Sequence, residues 1–219
     1  MQRVVGTALF ASLGLGCDPR PPLRDPLTLH NPFPSTQLWA VAPFSNESGV
    51  SHADGSRVAD QFVKVIEETE GLSCVALNRT LAAMQTLGMR AVRTDADAVT
   101  LLEAMGVDGL VIGTISMWDP YPPPKIGLAA QLYVRPGMTN PATFQPIDPA
   151  VPASAASGSF DASNHATLAA LRRYSDARHQ PGGPYGDEIY LVEMSRYAEF
   201  ASHEILARIL QSLLPPPCR

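Results

Sequence analysis

Val107-Asp108-Gly109-Leu110-Val111-Ile112-Gly113-Thr114-Ile115-Ser116-Met117 decides the fold, because its apolar residues fall on both parities. A strand with Leu110 and Ile112 on one side and Val111 and Ile115 on the other needs a layer against each face. The stretch therefore predicts a central strand with helices above and below. Gly106, immediately upstream, is placed to end a helix. That helix starts at Thr94, where Asp97 three residues on makes a capping-box pattern, and Ala98, Leu101, Leu102 and Met105 line one side of it.

Working toward the amino terminus, Asn78 is placed to cap a shorter helix through Leu81, Met84 and Leu87, closed at Gly88. Leu72 to Leu77 reads as a second strand. Val58, Phe62, Val65 and Ile66 repeat at helical spacing, with Ser51 or Asp54 as cap and Gly71 as stop. Leu38 to Phe44 reads as the first strand. Ser45-Asn46-Glu47-Ser48-Gly49 then has turn composition, at the carboxyl end of a strand where α/β sheets often hold ligands. A plain turn and a ligand or partner loop at Ser45, Asn46 and Glu47 both fit.

Working toward the carboxyl terminus, Ile126, Leu128, Ala130, Leu132 and Val134 alternate with Lys125, Gln131 and Arg135, as in a half-exposed strand. Residues 136–160 are rich in proline and small residues, which predicts a loop with at most weak pairing near 157–160. Residues 162–178 suit a modest helix. Leu191, Met194, Ala198, Ala201, Ile205, Ile209 and Leu213 predict one long amphipathic helix over 187–214. Tyr185, Tyr190, Tyr197 and Phe200 cluster before and within it, as core or as a partner face, and Asp187, Glu188, Glu193 and Glu199 read as a solvated face rather than paired catalytic carboxylates. The fold class is α/β (α+β): a mixed sheet of about four strands covered by helices, in the order β-α-β-α-α-β-β-(loop)-α.

The chain has 219 residues, 45% apolar and 17% charged, which suits one folded domain. Its net charge of −5 disfavours nucleic acid as a partner. Residues 1–16 combine Arg3, an apolar run from Val4 to Leu15 and Gly16, the make-up of a signal peptide. Leu13-Gly14-Leu15-Gly16-Cys17 resembles a bacterial lipobox, although leucine sits one place earlier than the pattern prefers. The resemblance implies lipid attachment at Cys17. Residues 17–36 carry Pro19, Pro21, Pro22, Pro26, Pro32 and Pro34, the composition of an extended tether. The domain then spans 37–214, with an irregular insertion at 136–186 and a tail at 215–219. In an oxidising compartment Cys74 and Cys218 are available for a disulfide, and Cys74 equally suits a buried apolar position.

Trp39-Ala40-Val41-Ala42-Pro43-Phe44 with the loop after it, the Arg79-to-Leu87 helix, and Met105 through Gly113 resemble one group of envelope proteins. The group includes the amino-terminal domain of TolB, the curli-secretion channel lipoprotein and lipoprotein activators of peptidoglycan synthases. The resemblance implies a non-catalytic adaptor or scaffold, lipid-anchored at the inner or outer membrane and facing the periplasm. Its partners would be envelope proteins or further copies of itself. A subunit of a homo-oligomeric export ring is the alternative, followed by a small-ligand receptor or enzyme using the loop after the first strand. No cofactor or metal is expected: His203-Glu204 lacks a second histidine at position 207, and neither a phosphate-binding Gly-rich loop nor a Gly-x-Ser-x-Gly elbow occurs.

Overall fold

The computed structural model describes residues 27–178 and 188–215. Its elements are β1 (Gln37–Val41), β2 (Ser45–Asn46), α1 (Gly55–Glu67), β3 (Leu72–Cys74), α2 (Leu77–Thr86), α3 (Asp95–Met105), β4 (Gly109–Asp119), β5 (Lys125–Val134), β6 (Ser154–Asp161), α4 (His165–Arg178), α5 (Ile189–Val192) and α6 (Met194–Ser212). The strands form one mixed sheet in the order β3-β1-β4-β5-β6, and β2 also pairs with β4. β1 runs parallel to β3 and β4, whereas β5 runs antiparallel to both of its neighbours, β4 and β6.

β4 is the doubly covered strand that its sequence predicts. Val111 and Ile115 join the larger core, where α1 and α6 contribute Val58, Phe62, Ile66, Phe200, Ile205 and Ile209. Leu110 joins the smaller core with Met84 of α2 and Ala98, Leu101 and Leu102 of α3. The crossover β1-α1-β3 thus lies on one face, and the return through α2 and α3 lies on the other.

The helix signals hold in detail for α3; of the two candidate caps of α1, Asp54 is the one used, and the helix ends at Glu67, ahead of Gly71. Asp54 caps α1 by accepting from Ser56 N and Arg57 N. Thr94 and Asp97 form a reciprocal capping box, and Gly106 closes α3 with φ +62°. α2 differs from expectation. It begins at Leu77 after Ala76, so Asn78 lies inside it and Leu77 is helical rather than the end of a strand. β3 correspondingly stops at Cys74.

Three larger differences concern segments of weak pattern. The sheet has six strands rather than about four: β2 forms a separate strand on β4, and β6 pairs with β5 along its whole length, from Lys125↔Asp161 to Leu132↔Ser154. Its residues are small because α6 packs closely: Ser154 Oγ donates to Ile209 O at 3.1 Å and lies 2.6 Å from Ser212 Oγ. A strand built this way has no strong alternation to read. The carboxyl-terminal helix is broken at Glu193, which is extended (φ −110°, ψ 103°) and accepts from Ser195 Oγ and Arg196 Nε. The tether, finally, is docked over its second half. Asn31 N donates to Glu70 O at 2.9 Å, Asn31 Nδ2 donates to Gly71 O at 3.0 Å, and Phe33 is buried. His203 Nε2 lies 3.1 Å from Leu27 O. The domain therefore extends back to Leu27.

The turn out of β1 rests on two glycines. A Cβ on Gly113 would lie 2.2 Å from the Phe44 ring, and one on Gly55 would lie 1.8 Å from the Phe44 carbonyl oxygen. Phe44 N in turn donates to Gly55 O at 3.1 Å. Gly55→Ala is expected to cost about 1–3 kcal/mol or more, since its obstacle is backbone rather than a side chain that can rotate away. Thermal unfolding of the purified domain checks this, and an unchanged midpoint would contradict the packing described.

Candidate functional site

α2 and α3 cover only part of their face of the sheet. Beyond them the outward positions of β4, β5 and β6 are mostly small or polar, with Ile112 the large apolar one at the cleft, and Ser116, Gln131, Ala155, Ser157 and Ser159 are exposed. Register places these positions in rows: Ile112, Gln131 and Ala155 lie side by side, as do Thr114, Ala129 and Ser157. A cleft of about 670 Å³ lies on this floor, walled by residues 45–47 on one side and 91–93 on the other. Its volume is in the range of sites that hold small molecules or peptide segments.

The Ser45-Asn46-Glu47 segment is more than a turn. Ser45 and Asn46 pair in parallel with Thr114 and Ile115, and Glu47 N donates to Ile115 O at 2.9 Å. The pairing offset to β4 changes by one residue between Val41↔Val111 and Ser45↔Thr114, so one extra residue is accommodated around Pro43. Proline suits this position because it has no N–H to leave unpaired.

Asn46 is structural. Its Nδ2 donates to Val50 O at 2.8 Å and to Ala53 O at 3.0 Å, and its Oδ1 accepts from Ser48 N and Ser48 Oγ. With its amide fully engaged, it holds the loop in shape rather than offering itself to a ligand. Ser45 and Glu47 line the cleft. No hydrogen bond or ion pair of either side chain is seen among the described residues.

The opposite wall is fixed by the capping box of α3. Asp97 Oδ2 accepts from Arg93 N and Thr94 N, each at 3.0 Å. These bonds, that to Arg93 first, hold the Asp97 carboxyl below its usual range. Tyr133 braces the same corner by donating to Asp95 Oδ1 at 2.6 Å. Burial chiefly, with the Asp95 bond adding to it, pushes the Tyr133 phenol up, so it stays a neutral donor. Arg93 is exposed on this fixed backbone, and its charge adds to the lowering of the Asp97 carboxyl. With Thr114 and Gln131 on the floor, the cleft offers a cation, a carboxylate, two hydroxyls and an amide. Arg93, Thr114 and Gln131 were not legible as site residues, because they converge only through strand register and a helix cap.

The aromatic positions go the other way. Tyr190, Tyr197 and Phe200 are at most 1% exposed, so they form core rather than a partner face. Tyr174 contacts Tyr190 and Phe200 edge-on at centroid distances of 5.7 and 5.6 Å, and Phe200 contacts Phe160 at 5.7 Å. Glu199 likewise leaves the expected solvated face. It is buried, with Lys64 Nζ at 2.8 Å, Tyr174 OH at 3.0 Å and Arg178 Nη1 at 3.4 Å; Arg178 also pairs with Glu68. Burial alone would raise its pKa, but the bonds from Lys64 and Tyr174 and the charge of Arg178 hold it below the ordinary value. Cys74 is half-buried, and burial first, then the nearby Glu67 carboxylate, pushes its thiol up to about 12. Cys17, Tyr185, Asp187 and Cys218 lie outside the described residues.

No protein-family model and no curated protein matches this chain. Solved structures do show likeness. The chain is similar to the C-terminal domain of LpoB from Salmonella enterica, with TM-score 0.41 and 14% identity over 58% of this chain and 84% of that one. It is similar to lipoprotein GNA1162 from Neisseria meningitidis, with TM-score 0.38 and 16% identity over 62% and 90%. It is also similar to the PelC dodecamer protein from Paraburkholderia phytofirmans, with TM-score 0.37 and 10% identity over 83% and 89%.

The charge cluster around Glu199 makes a testable contribution to stability. A carboxyl whose folded pKa lies below its unfolded value stabilises the fold above the unfolded value and loses that contribution as pH falls through the folded one. Stability is therefore expected to decline as pH drops below about 4.5, the ordinary glutamate value. In Glu199→Gln that decline should be shallower. Lys64→Met should cost about 1–3 kcal/mol at neutral pH, by leaving Glu199 short of one of its partners. Urea unfolding as a function of pH reads both effects.

Proposed function

We propose that this chain is a lipid-anchored, periplasm-facing binding and assembly module of a bacterial cell envelope, and that it works by docking a partner protein rather than by catalysis. The observation that carries the docking part is the cleft on the uncovered sheet face, where Arg93, Glu47, Ser45, Thr114 and Gln131 converge. These groups stand on fixed backbone: strand pairing holds residues 45–47, and the capping box holds Arg93. A rigid floor of small side chains lets a partner segment approach the sheet closely, and the surrounding polar groups select what lies there. The signal-like leader and Cys17 support the address.

The five groups do not form a nucleophile with its base. Ser45 and Thr114 have no imidazole beside them in the cleft, and its lining contains no histidine. An opposed cation and carboxylate suit recognition of a chain that carries both charges.

Two experiments test this reading. Cys17→Ser should move the protein from the membrane to the soluble fraction after a salt wash, and persistence in the membrane would refute lipid anchoring. In mild-detergent extracts of native membranes, Arg93→Glu combined with Gln131→Glu should strip the module of its companion protein, while Tyr121→Ser, at the exposed β4–β5 turn, should leave the complex intact. A companion retained equally in all forms would place docking elsewhere than the cleft. A mass that is a multiple of this chain alone would identify the partner as further copies.

A further inference from the structure

Residues 138–147 form a short arm after β5. Thr139 pairs with Pro146, Asn140 N donates to Gln145 O at 2.8 Å, and Ile147 N donates to Met138 O at 2.9 Å. Asn140 Oδ1 tightens the tip by accepting from Ala142 N and Thr143 N. At that tip Phe144 has φ +56° and is 80% exposed. Phe144 is the only non-glycine residue with positive φ among those described. A bulky aromatic held in left-handed backbone, with its ring in solvent, is costly on both counts and calls for a functional reason.

The placement of the arm supplies that reason. It follows Arg135, whose N–H donates to Asp108 O and whose side chain pairs with Asp108 just ahead of β4. The arm thus stands at the end of the sheet where β1, β3 and β4 begin. Residues 27–36 lead into β1 at this same end, with Gln37 N bonded to Gly71 O. Three more exposed apolar side chains belong here: Leu38 near the start of β1, Val151 between the arm and β6, and Leu214 beyond α6, whose Ser212 contacts Ser154 at the start of β6. Between residues 136 and 153 the only charged side chain is Asp148. Nine residues lie between Cys17 and Leu27, so the reach from one to the other is at most about 35 Å.

The geometry points to this end of the molecule resting on the lipid bilayer, with Phe144 inserted at the boundary of headgroups and acyl chains. The inference rests on the lipid-anchored reading and adds a second contact to it. The lipid at Cys17 already holds the chain at the surface, so an apolar side chain close to it inserts at little further entropic cost. Phe144 is presented ready for insertion, because the Asn140 turn fixes the tip before any membrane is met. The contact is apolar, since the arm carries no basic residue for anionic headgroups. It also orients the domain, leaving the cleft, which opens midway along β4 and β5, free for a partner.

The test uses full-length lipidated protein in vesicles of phosphatidylethanolamine and phosphatidylglycerol. A single environment-sensitive fluorophore is attached to Phe144→Cys or, as control, to Tyr121→Cys at the opposite end of the sheet, each with Cys218→Ser. The free, half-buried Cys74 is also replaced, by Ser, so that the introduced cysteine is the single labelling site. The expected result is flotation of both forms with the vesicles, blue-shifted emission at position 144 only, and quenching there by acyl-chain-labelled lipids that added salt does not reverse. Separately, in the lipidated protein, Phe144→Ser should speed transfer from one vesicle population to another by about tenfold. If the proteins float but the label at 144 reads water as the one at 121 does, the second contact is refuted and the lipid anchor stands. If they do not float at all, both are refuted.

Discussion

Phe44 occupies space that exists only because Gly113 and Gly55 have no side chains, and the site depends on this contact. The ring lies over Gly113 in the central strand, stacks at 5.5 Å from Phe62, and its own backbone is bonded to Gly55 at the start of α1. Three elements are thereby locked at one point: the end of β1, the middle of β4 and the first turn of α1. With Phe44 fixed, the chain must bulge at Pro43 and rejoin β4 as β2. That return carries Ser45 and Glu47 to the rim of the cleft. The larger core and the candidate site therefore share one origin.

The two sides of the sheet solve different problems. One face is sealed by α1, α4 and α6, where a buried carboxylate, Glu199, is matched by Lys64, Tyr174 and Arg178. Such a cluster is weak as a source of stability but strict about geometry, because each member left alone is penalised. It fixes α1, α4 and α6 against one another. The other face is covered by α2 and α3 over β1 and part of β4 and β5 only. What remains open is flat, small and polar, a surface suited to contact with another chain and one that avoids a large exposed apolar patch.

The ends of the sheet are likewise unequal. At the end where the parallel strands begin, the docked residues 27–36 and the Phe144 arm stand together with Leu38, Val151 and Leu214. The opposite end carries the turn with Tyr121. A membrane contact at the first end and a partner in the cleft are therefore compatible uses of one small domain.

Sequence by itself determined the central strand, the helix α1, the helix α3 with its capping box, and the alternation of β5. Each rests on a local rule: apolar period, a capping box, or glycine where φ is positive. Tertiary structure alone decided the rest. β6 could not be read because its inward residues are small to admit α6, which erases the alternation that marks a strand. Tyr190, Tyr197 and Phe200 could not be assigned to core or partner face, and Glu199 reads as solvated although it is buried, since a helix pattern gives the angle of a side chain but not what covers it. The loop at Ser45-Asn46-Glu47 was legible as a candidate, yet the roles within it were not: Asn46 is consumed by its own turn, and Arg93, Thr114 and Gln131 face the loop only because strand pairing brings distant stretches into register. Local rules specify elements, whereas a site is made where elements meet, and only the packed chain fixes that meeting.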